Sequence, residues 1–307
     1  MGTPGFAVGV LSKLVEEKVN VVGVITAPDR PAGRGRKLNT SAVKDYAVSQ
    51  GLTVLQPTNL KNEDFLKELE SLNANLQIVV AFRMLPKVVW QMPEYGTFNL
   101  HASLLPEYRG AAPINWAIIN QEEKSGVTTF FIDEKIDTGA ILLSAEIPIE
   151  ERETAGTLHD KLMGLGSKLV LDTVQLIENN AVTTHIQKDA KDLKEAPKLH
   201  PENTRIDWSQ PVEKIDALVR GLSPYPVAWT KIKNEEDIYK VKIYVSDFEV
   251  VNHDEAIGSI VTSKKTIKIA VENGYLIIKV LQFPGKRKMD AASFLNGFTF
   301  AKNAKAL

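Results

Sequence analysis

Apolar residues recur every three to four positions in Phe6–Glu17, Ser41–Gln50, Asp64–Leu72, Pro113–Gln121 and Thr157–Glu178, the spacing that predicts amphipathic helices. Between them lie short runs rich in Val, Ile and Phe and bounded by Gly, Pro or Asp. These runs, Val19–Ile25, Leu76–Phe82, Gly96–Leu100, Val127–Ile132 and Ile141–Ile147, read as strands. Strands alternating with helices predict an α/β domain on a Rossmann-like, mostly parallel sheet. The start departs from this rhythm. Gly2-Thr3-Pro4-Gly5 has the character of a strand-to-helix turn, yet only Met1 precedes it where a βαβ unit carries its first strand. A truncated or mis-started chain is expected there, in preference to a sheet that lacks the strand.

The pattern changes at Lys188. From there to Arg205 the chain alternates charges, holds two prolines and has almost no large apolar residues, a linker composition. Beyond it a short helix over Pro211–Leu222 precedes Trp229–Ile232, Ile238–Val250, Gly258–Thr262, Thr266–Glu272 and Tyr275–Gln282, strands at the spacing of a small barrel. The expected organisation is an α/β domain over 1–187, a linker over 188–205 and a C-terminal β-barrel of OB-like type over 206–307.

Composition narrows the function classes. With 307 residues, 44% hydrophobic and 24% charged, the chain is neither disordered, collagen-like nor coiled-coil. Its longest apolar runs, Ile78–Phe82 and Tyr275–Ile278, are far shorter than the roughly 18 residues of a membrane-spanning helix. There is no cysteine, which removes disulfides, thiolate metal sites and a cysteine nucleophile, and the five histidines are too scattered to suggest a metal site. Met1–Ser12 lacks the features of a signal peptide, so a cytoplasmic protein without membrane attachment is expected, and we take it as a monomer. The net charge of −1 divides into +3 from Pro201 onward and −4 before it, so a polyanion would have to be met by a local basic cluster.

Three segments carry candidate chemistry. The first is Asn99-Leu100-His101-Ala102-Ser103-Leu104-Leu105-Pro106-Glu107-Tyr108-Arg109-Gly110, at the end of a predicted strand. Residues i and i+2 of a strand share a face, so Asn99 and His101 point together at the carboxyl edge, where open α/β sheets bind ligands. An amide donor beside an imidazole suits polarising a carbonyl and moving a proton. The second is Asp133–Gly139, whose carboxylates could orient the imidazole. The third is Pro28–Lys37, with four basic residues and two glycines after a strand, suited to a phosphate backbone. From the residues alone, a satisfied strand-end histidine, a capped Asp-Thr-Gly turn and a solvated loop remain open.

Together, Asn99-x-His101-x-Ser103-Leu104-Leu105-Pro106-x-x-Arg109-Gly110 and Asp137-Thr138-Gly139 resemble the signature of the folate-dependent formyltransferases. Gly2-Thr3-Pro4, the loop Pro28–Gly35, Ala196-Pro197-Lys198, Ile206-Asp207-Trp208 and Phe294-Leu295-Asn296-Gly297 resemble the branch that formylates methionyl-tRNA, over essentially the whole chain. The resemblance implies transfer of a formyl group from 10-formyltetrahydrofolate to the α-amino group of methionine on charged initiator tRNA, without a metal. It implies catalytic roles for Asn99, His101 and Asp137. It also implies a folate pocket lined by Ser103, Leu104, Leu105 and Pro106 and, more loosely, by Phe82, Arg83, Met84 and Leu85 and the Asp133–Asp137 backbone. Arg30, Arg34, Arg36 and Lys37 would meet the acceptor end of the tRNA, and the C-terminal barrel would bind it too. Apart from the absent first strand, Gly5 stands where the family usually has an acidic residue, and Arg83 where it commonly has glycine. The alternatives are a folate-dependent formyltransferase acting on a ribotide or sugar nucleotide, and an RNA-binding protein without activity.

Overall fold

The structure of the protein, a computed structural model, describes residues 1–32, 37–188 and 192–307. In its first part the elements run α1 (Gly5–Glu16), β1 (Val24–Ile25), β2 (Arg30–Ala32), β3 (Lys37–Asn39), α2 (Ala42–Ser49), β4 (Val54–Leu55), α3 (Glu63–Ser71) and β5 (Gln77–Val80). There follow α4 (Lys87–Trp90), β6 (Thr97–His101), β7 (Arg109–Gly110), α5 (Pro113–Ile119), β8 (Lys124–Phe131), β9 (Ile141–Pro148) and α6 (Ala155–Glu178). Side-chain oxygens start two of the helices where the sequence places polar caps. Ser41 Oγ accepts from the Lys44 amide and Asn62 Oδ1 from that of Phe65, both at 3.0 Å.

The chain forms two compact units, Met1–Gly110 with Ser125–Ile147 and His159–Glu195, and Ala111–Lys124 with Pro148–Leu158 and Ala196–Leu307. Sequence reading draws contiguous domains, whereas these units interleave. In the second unit α5 lies against the helix α7 (Val212–Gly221): Asn115 Nδ2 donates to Gly221 O at 2.7 Å, and a Cβ on Gly221 would come within 2.5 Å of Ile119 Cγ1.

In the first unit β1 pairs with β4 and β5 with β6, both in parallel, while β6 pairs with β8 antiparallel in the sheet order β5-β6-β8-β9. The parallel half is therefore followed by an antiparallel hairpin. Phe98 and Leu100 are buried on one face of β6, where α6 approaches so closely that a Cβ on Gly166 would sit 2.8 Å from Leu100 Cδ2. The opposite face carries Thr97, Asn99 and His101.

The expected strand Val19–Ile25 forms a ladder only at Val24–Ile25, paired with Val54–Leu55 of β4, and Met1 and Gly2 lie on its other side. The Gly2 amide donates to Ile25 O at 3.0 Å and the Val80 amide to Met1 O at 2.9 Å, so these two residues bridge β1 and β5. The rest of the interval is a largely apolar cavity of about 340 Å³ lined by Val10, Leu14, Val22, Val24, Ile78 and Val174 among others. The Met1 amine donates to Ile78 O at 2.6 Å, and burial pushes its pKa down to about 5.

The second unit continues with β10 (Glu195–Ala196), α7, β11 (Ala228–Asn234), β12 (Asp237–Val250), β13 (Ile260–Thr262), β14 (Ile267–Val271), β15 (Gly274–Gln282), β16 (Met289–Asp290), α8 (Ala291–Leu295) and β17 (Lys305–Ala306). The antiparallel order β13-β14-β15-β12-β11-β17 nearly closes on itself, since Ser259, just before β13, bridges Lys305 and the Ala306 amide donates to Gly258 O at 2.8 Å. Gly258 has φ +85°, and a Cβ there would meet Ala306 O at 2.4 Å, so the closure needs glycine. Ile206, Trp208, Ile215, Ile243, Leu276 and Phe294 belong to the core beneath it. The α/β first unit and barrel-like second unit match the fold class read from the sequence.

Part of the segment expected to be a linker lies outside the described residues, at 189–191. The rest is fixed: Tyr108 N donates to Lys194 O at 2.6 Å, Ala111 N donates to Ala196 O at 2.7 Å, and Ala196 is fully buried.

Candidate active site

Parallel pairing of β5 with β6 brings the carboxyl ends of both strands to one edge, and the loops 81–86 and 102–108 leave from there. At that edge His101 is buried and half-buried Asn99 shares its face. His101 Nε2 lies 2.8 Å from Tyr108 O. A carbonyl only accepts, so Nε2 carries a proton, and in the neutral ring Nδ1 holds the available lone pair. That nitrogen faces Asp137: Nδ1 to Oδ2 is 3.8 Å, an ion-pair separation and longer than a hydrogen bond. The Asp137 carboxylate is held directly by the chain, since the Gly110 amide donates to Oδ2 at 3.0 Å.

The Asp-Thr-Gly turn explains this placement. Asp137 sits at φ +55°, and at Gly139 a Cβ would fall 1.7 Å from Phe131 O, a backbone atom, so no other residue fits there. Asp133 Oδ1 accepts from Lys135 N and Thr138 Oγ1, both at 2.9 Å, bracing the loop from within.

The Ser103–Pro106 segment is held as firmly. Ser103 Oγ donates to Glu107 O at 2.6 Å, Thr128 Oγ1 donates to Ser103 O at 2.7 Å and accepts from Leu105 N at 3.2 Å. Ser103 and Leu105 are buried within the loop itself, while Leu104 and Pro106 are half-buried. Leu104 packs over Gly126, where a Cβ would meet Leu104 Cδ2 at 2.5 Å.

Two profiles from the same family match the sequence: "Formyl transferase" over residues 1–174 and "Formyl transferase, C-terminal domain" over 198–299. The chain belongs to the formyl transferase family. It is 59% identical over 305 residues to a methionyl-tRNA formyltransferase of Flavobacterium johnsoniae, an alignment covering 99% of this chain and 97% of the relative. The corresponding protein of Parabacteroides distasonis is 53% identical over 305 residues, covering 97% and 94%. Among solved structures, an N-formyltransferase of Helicobacter canadensis in complex with folinic acid and dTDP-3-aminofucose superposes with a TM-score of 0.64 at 22% identity, covering 90% of this chain and 96% of that one. A sugar 3N-formyl transferase crystallised with dTDP and 5-N-formyl-THF gives 0.63 at 20%, covering 93% and 97%. At such identities the likeness is one of fold.

In this formyl transferase the loop after β5 presents Met84 to solvent and half-buries Phe82, with Leu85 in the core. Arg83, the unusual residue, turns back: its guanidinium donates to Thr58 O at 3.0 Å and to Pro57 O, and lies 5.6 Å from the Phe82 ring. Burial and, secondarily, the charge of Arg30 lower its pKa. In the basic loop Arg30 is exposed on β2, which pairs with β3 through Ala32 and Lys37, a hairpin that sequence reading took for loop. Arg34 and Arg36 lie outside the described residues. Among the described residues, no group of three or more His, Asp or Glu side chains is placed to hold a metal ion, and no helix is long and apolar enough to cross a membrane.

Sequence reasoning missed Gln187, whose side chain reaches both Arg109 and the Asp137–Gly139 turn. It stands at the very boundary drawn between domain and linker, outside every motif.

Proposed function

We propose that the protein transfers the formyl group of 10-formyltetrahydrofolate to the α-amino group of methionine carried on initiator tRNA. The observation that carries this is the convergence of Asn99, His101 and Asp137 at the carboxyl edge of β6, in a chain that aligns end to end with methionyl-tRNA formyltransferases. Attack of a neutral amine on the formyl carbon forms a C–N bond and a tetrahedral oxyanion. The half-buried Asn99 amide supplies the N–H donor for that charge, and His101 Nδ1 takes the proton released by the attacking nitrogen. The imidazolium so formed faces Asp137 at 3.8 Å. As the oxyanion collapses, the bond to the folate nitrogen breaks and His101 returns the proton to that nitrogen. Each proton taken is given back, so neither a metal nor a covalent enzyme intermediate is needed.

The loops 81–86 and 102–108 are positioned to take the folate, with Phe82, Met84, Leu104 and Pro106 as its apolar contacts. Ser103, Leu105 and Leu85 support the pocket from beneath, and Arg83 contributes its backbone. Arg30, Arg34, Arg36 and Lys37 would meet the acceptor end of the tRNA, and the barrel of the second unit would carry the rest of it. The separate test of the loop is Arg34→Ala, for which each lost phosphate contact lowers the slope of log affinity against log salt by roughly 0.7–0.9.

The overall function is tested by offering charged initiator tRNA, an amino-sugar nucleotide and a ribotide amine, each with 10-formyltetrahydrofolate. Formyl transfer to the tRNA alone is expected. Transfer to either small acceptor at a comparable rate would put the protein in the other branch of the family, and binding of tRNA without formyl transfer would make it an RNA-binding protein.

A further inference from the structure

Gln187 is buried at 8% exposure, and the four hydrogen bonds shown for its amide fill the capacity of the group. Nε2 donates to Asp137 O at 2.9 Å and to Gly139 O at 2.8 Å. Oε1 accepts from Arg109 Nε at 3.1 Å and from Arg109 Nη2 at 2.7 Å. One side chain thus grips both ends of the turn that bears Asp137 and the residue preceding Gly110, whose amide holds the Asp137 carboxylate. The contacts close a ring that runs Gln187, Arg109, Gly110, Asp137 and back to Gln187. Gln187 is itself fixed, because His185 and Ile141 exchange backbone hydrogen bonds at 2.8 and 2.9 Å and extend the edge of β9.

The ring has a purpose that packing alone would not require. Asp137 occupies left-handed backbone without being glycine, a conformation that persists only where the surroundings over-determine it. Its carboxylate lies 3.8 Å from His101 Nδ1 with no direct hydrogen bond shown to that nitrogen, so the separation is set by the carboxylate's other contacts and by the turn. Those are the contacts Gln187 braces.

We propose that Gln187 is a positioning residue for formyl transfer, acting by holding Asp137 in place opposite His101; the inference rests on the functional reading given above. The informative variant is Gln187→Glu, which keeps the volume and the acceptors for Arg109 but replaces the two N–H donors with an oxygen facing the carbonyls of Asp137 and Gly139. A second variant, Gln187→Met, removes both arms at similar length. Turnover, the Michaelis constant for folate and the melting temperature are measured for each, alone and in an Asp137→Asn background.

The expected result is a loss of kcat between about tenfold and a hundredfold, with a much smaller change in the Michaelis constant. In the Asp137→Asn background either Gln187 substitution should cost less than about twofold more, as expected of groups that act as a unit. Losses that multiply fully, or a loss that falls equally on kcat and the Michaelis constant, would reduce Gln187 to a structural brace and overturn the proposal. If either variant fails to fold, the other decides. If Asp137→Asn itself keeps the parent's kcat, the functional reading has failed and this proposal falls with it. If Asp137→Asn is impaired and the Gln187 variants are not, only this proposal is overturned.

Discussion

His101 presents Nδ1 to the Asp137 carboxylate at 3.8 Å while its Nε2 is committed to the Tyr108 carbonyl at 2.8 Å. The ring is thus oriented by backbone through one nitrogen and faces a carboxylate with the other, a division of labour with distinct consequences for each partner.

Asp137→Asn keeps an acceptor for the Gly110 amide and removes the charge. It should lower kcat by about 100-fold with little change in folate affinity. Steady-state kinetics check this. A variant with the parent's turnover would make Asp137 a turn residue.

Asn99→Ala removes the donor proposed for the oxyanion. Loss of such a donor costs roughly 100- to 1,000-fold in rate, and tRNA affinity measured on the same preparation should stay within about twofold, since the amide contributes nothing to phosphate contacts. A loss shared equally between rate and tRNA affinity would contradict this role.

Much of this site is legible in the sequence, for identifiable reasons. Asn99 and His101 are visible because the i, i+2 spacing of a strand places them on one face without knowledge of the fold. Asp137 is visible only as one of several carboxylates in a polar loop; its distance from His101 depends on the turn at Gly139 and the amide of Gly110, which are tertiary facts. Gln187 carries no local signal, since its four bonds reach back 48 to 78 residues. In the fold, long periodic segments such as α6 and β12 read correctly, whereas α4 and α8, four and five residues long, are too short to show a period. The helix α5 is legible as a helix, but its place in the second unit is not, because it depends on close contact with Gly221, 106 residues further along the chain than Asn115.

Gly139→Ala tests the turn itself. A Cβ 1.7 Å from Phe131 O can be accommodated only by moving backbone, so destabilisation of at least about 1–3 kcal/mol is expected together with lost turnover. Thermal melting and activity read both, and an unchanged melting temperature would contradict the close approach.

Asp290 caps α8 through the Ser293 amide at 2.8 Å and hydroxyl at 2.7 Å, and the amide bond foremost holds its carboxyl below the ordinary value of 3.8. With the folded value depressed, its contribution is present above pH 3.8 and is lost as the pH falls through the folded value. The melting-temperature difference between the parent and Asp290→Ala should therefore be constant near neutrality and shrink only in that acid range. A difference that disappears already between pH 5 and 7 would contradict this.

The most direct measurement is single-turnover formylation of charged initiator tRNA by the parent and by His101→Ala, with mass analysis of the released aminoacyl group and tRNA affinity determined on the same samples. Formylmethionine is expected from the parent, with a rate at least about 100-fold lower in His101→Ala and tRNA affinity unchanged. Transfer by His101→Ala within about tenfold of the parent would contradict the assignment of formyl transfer to this site.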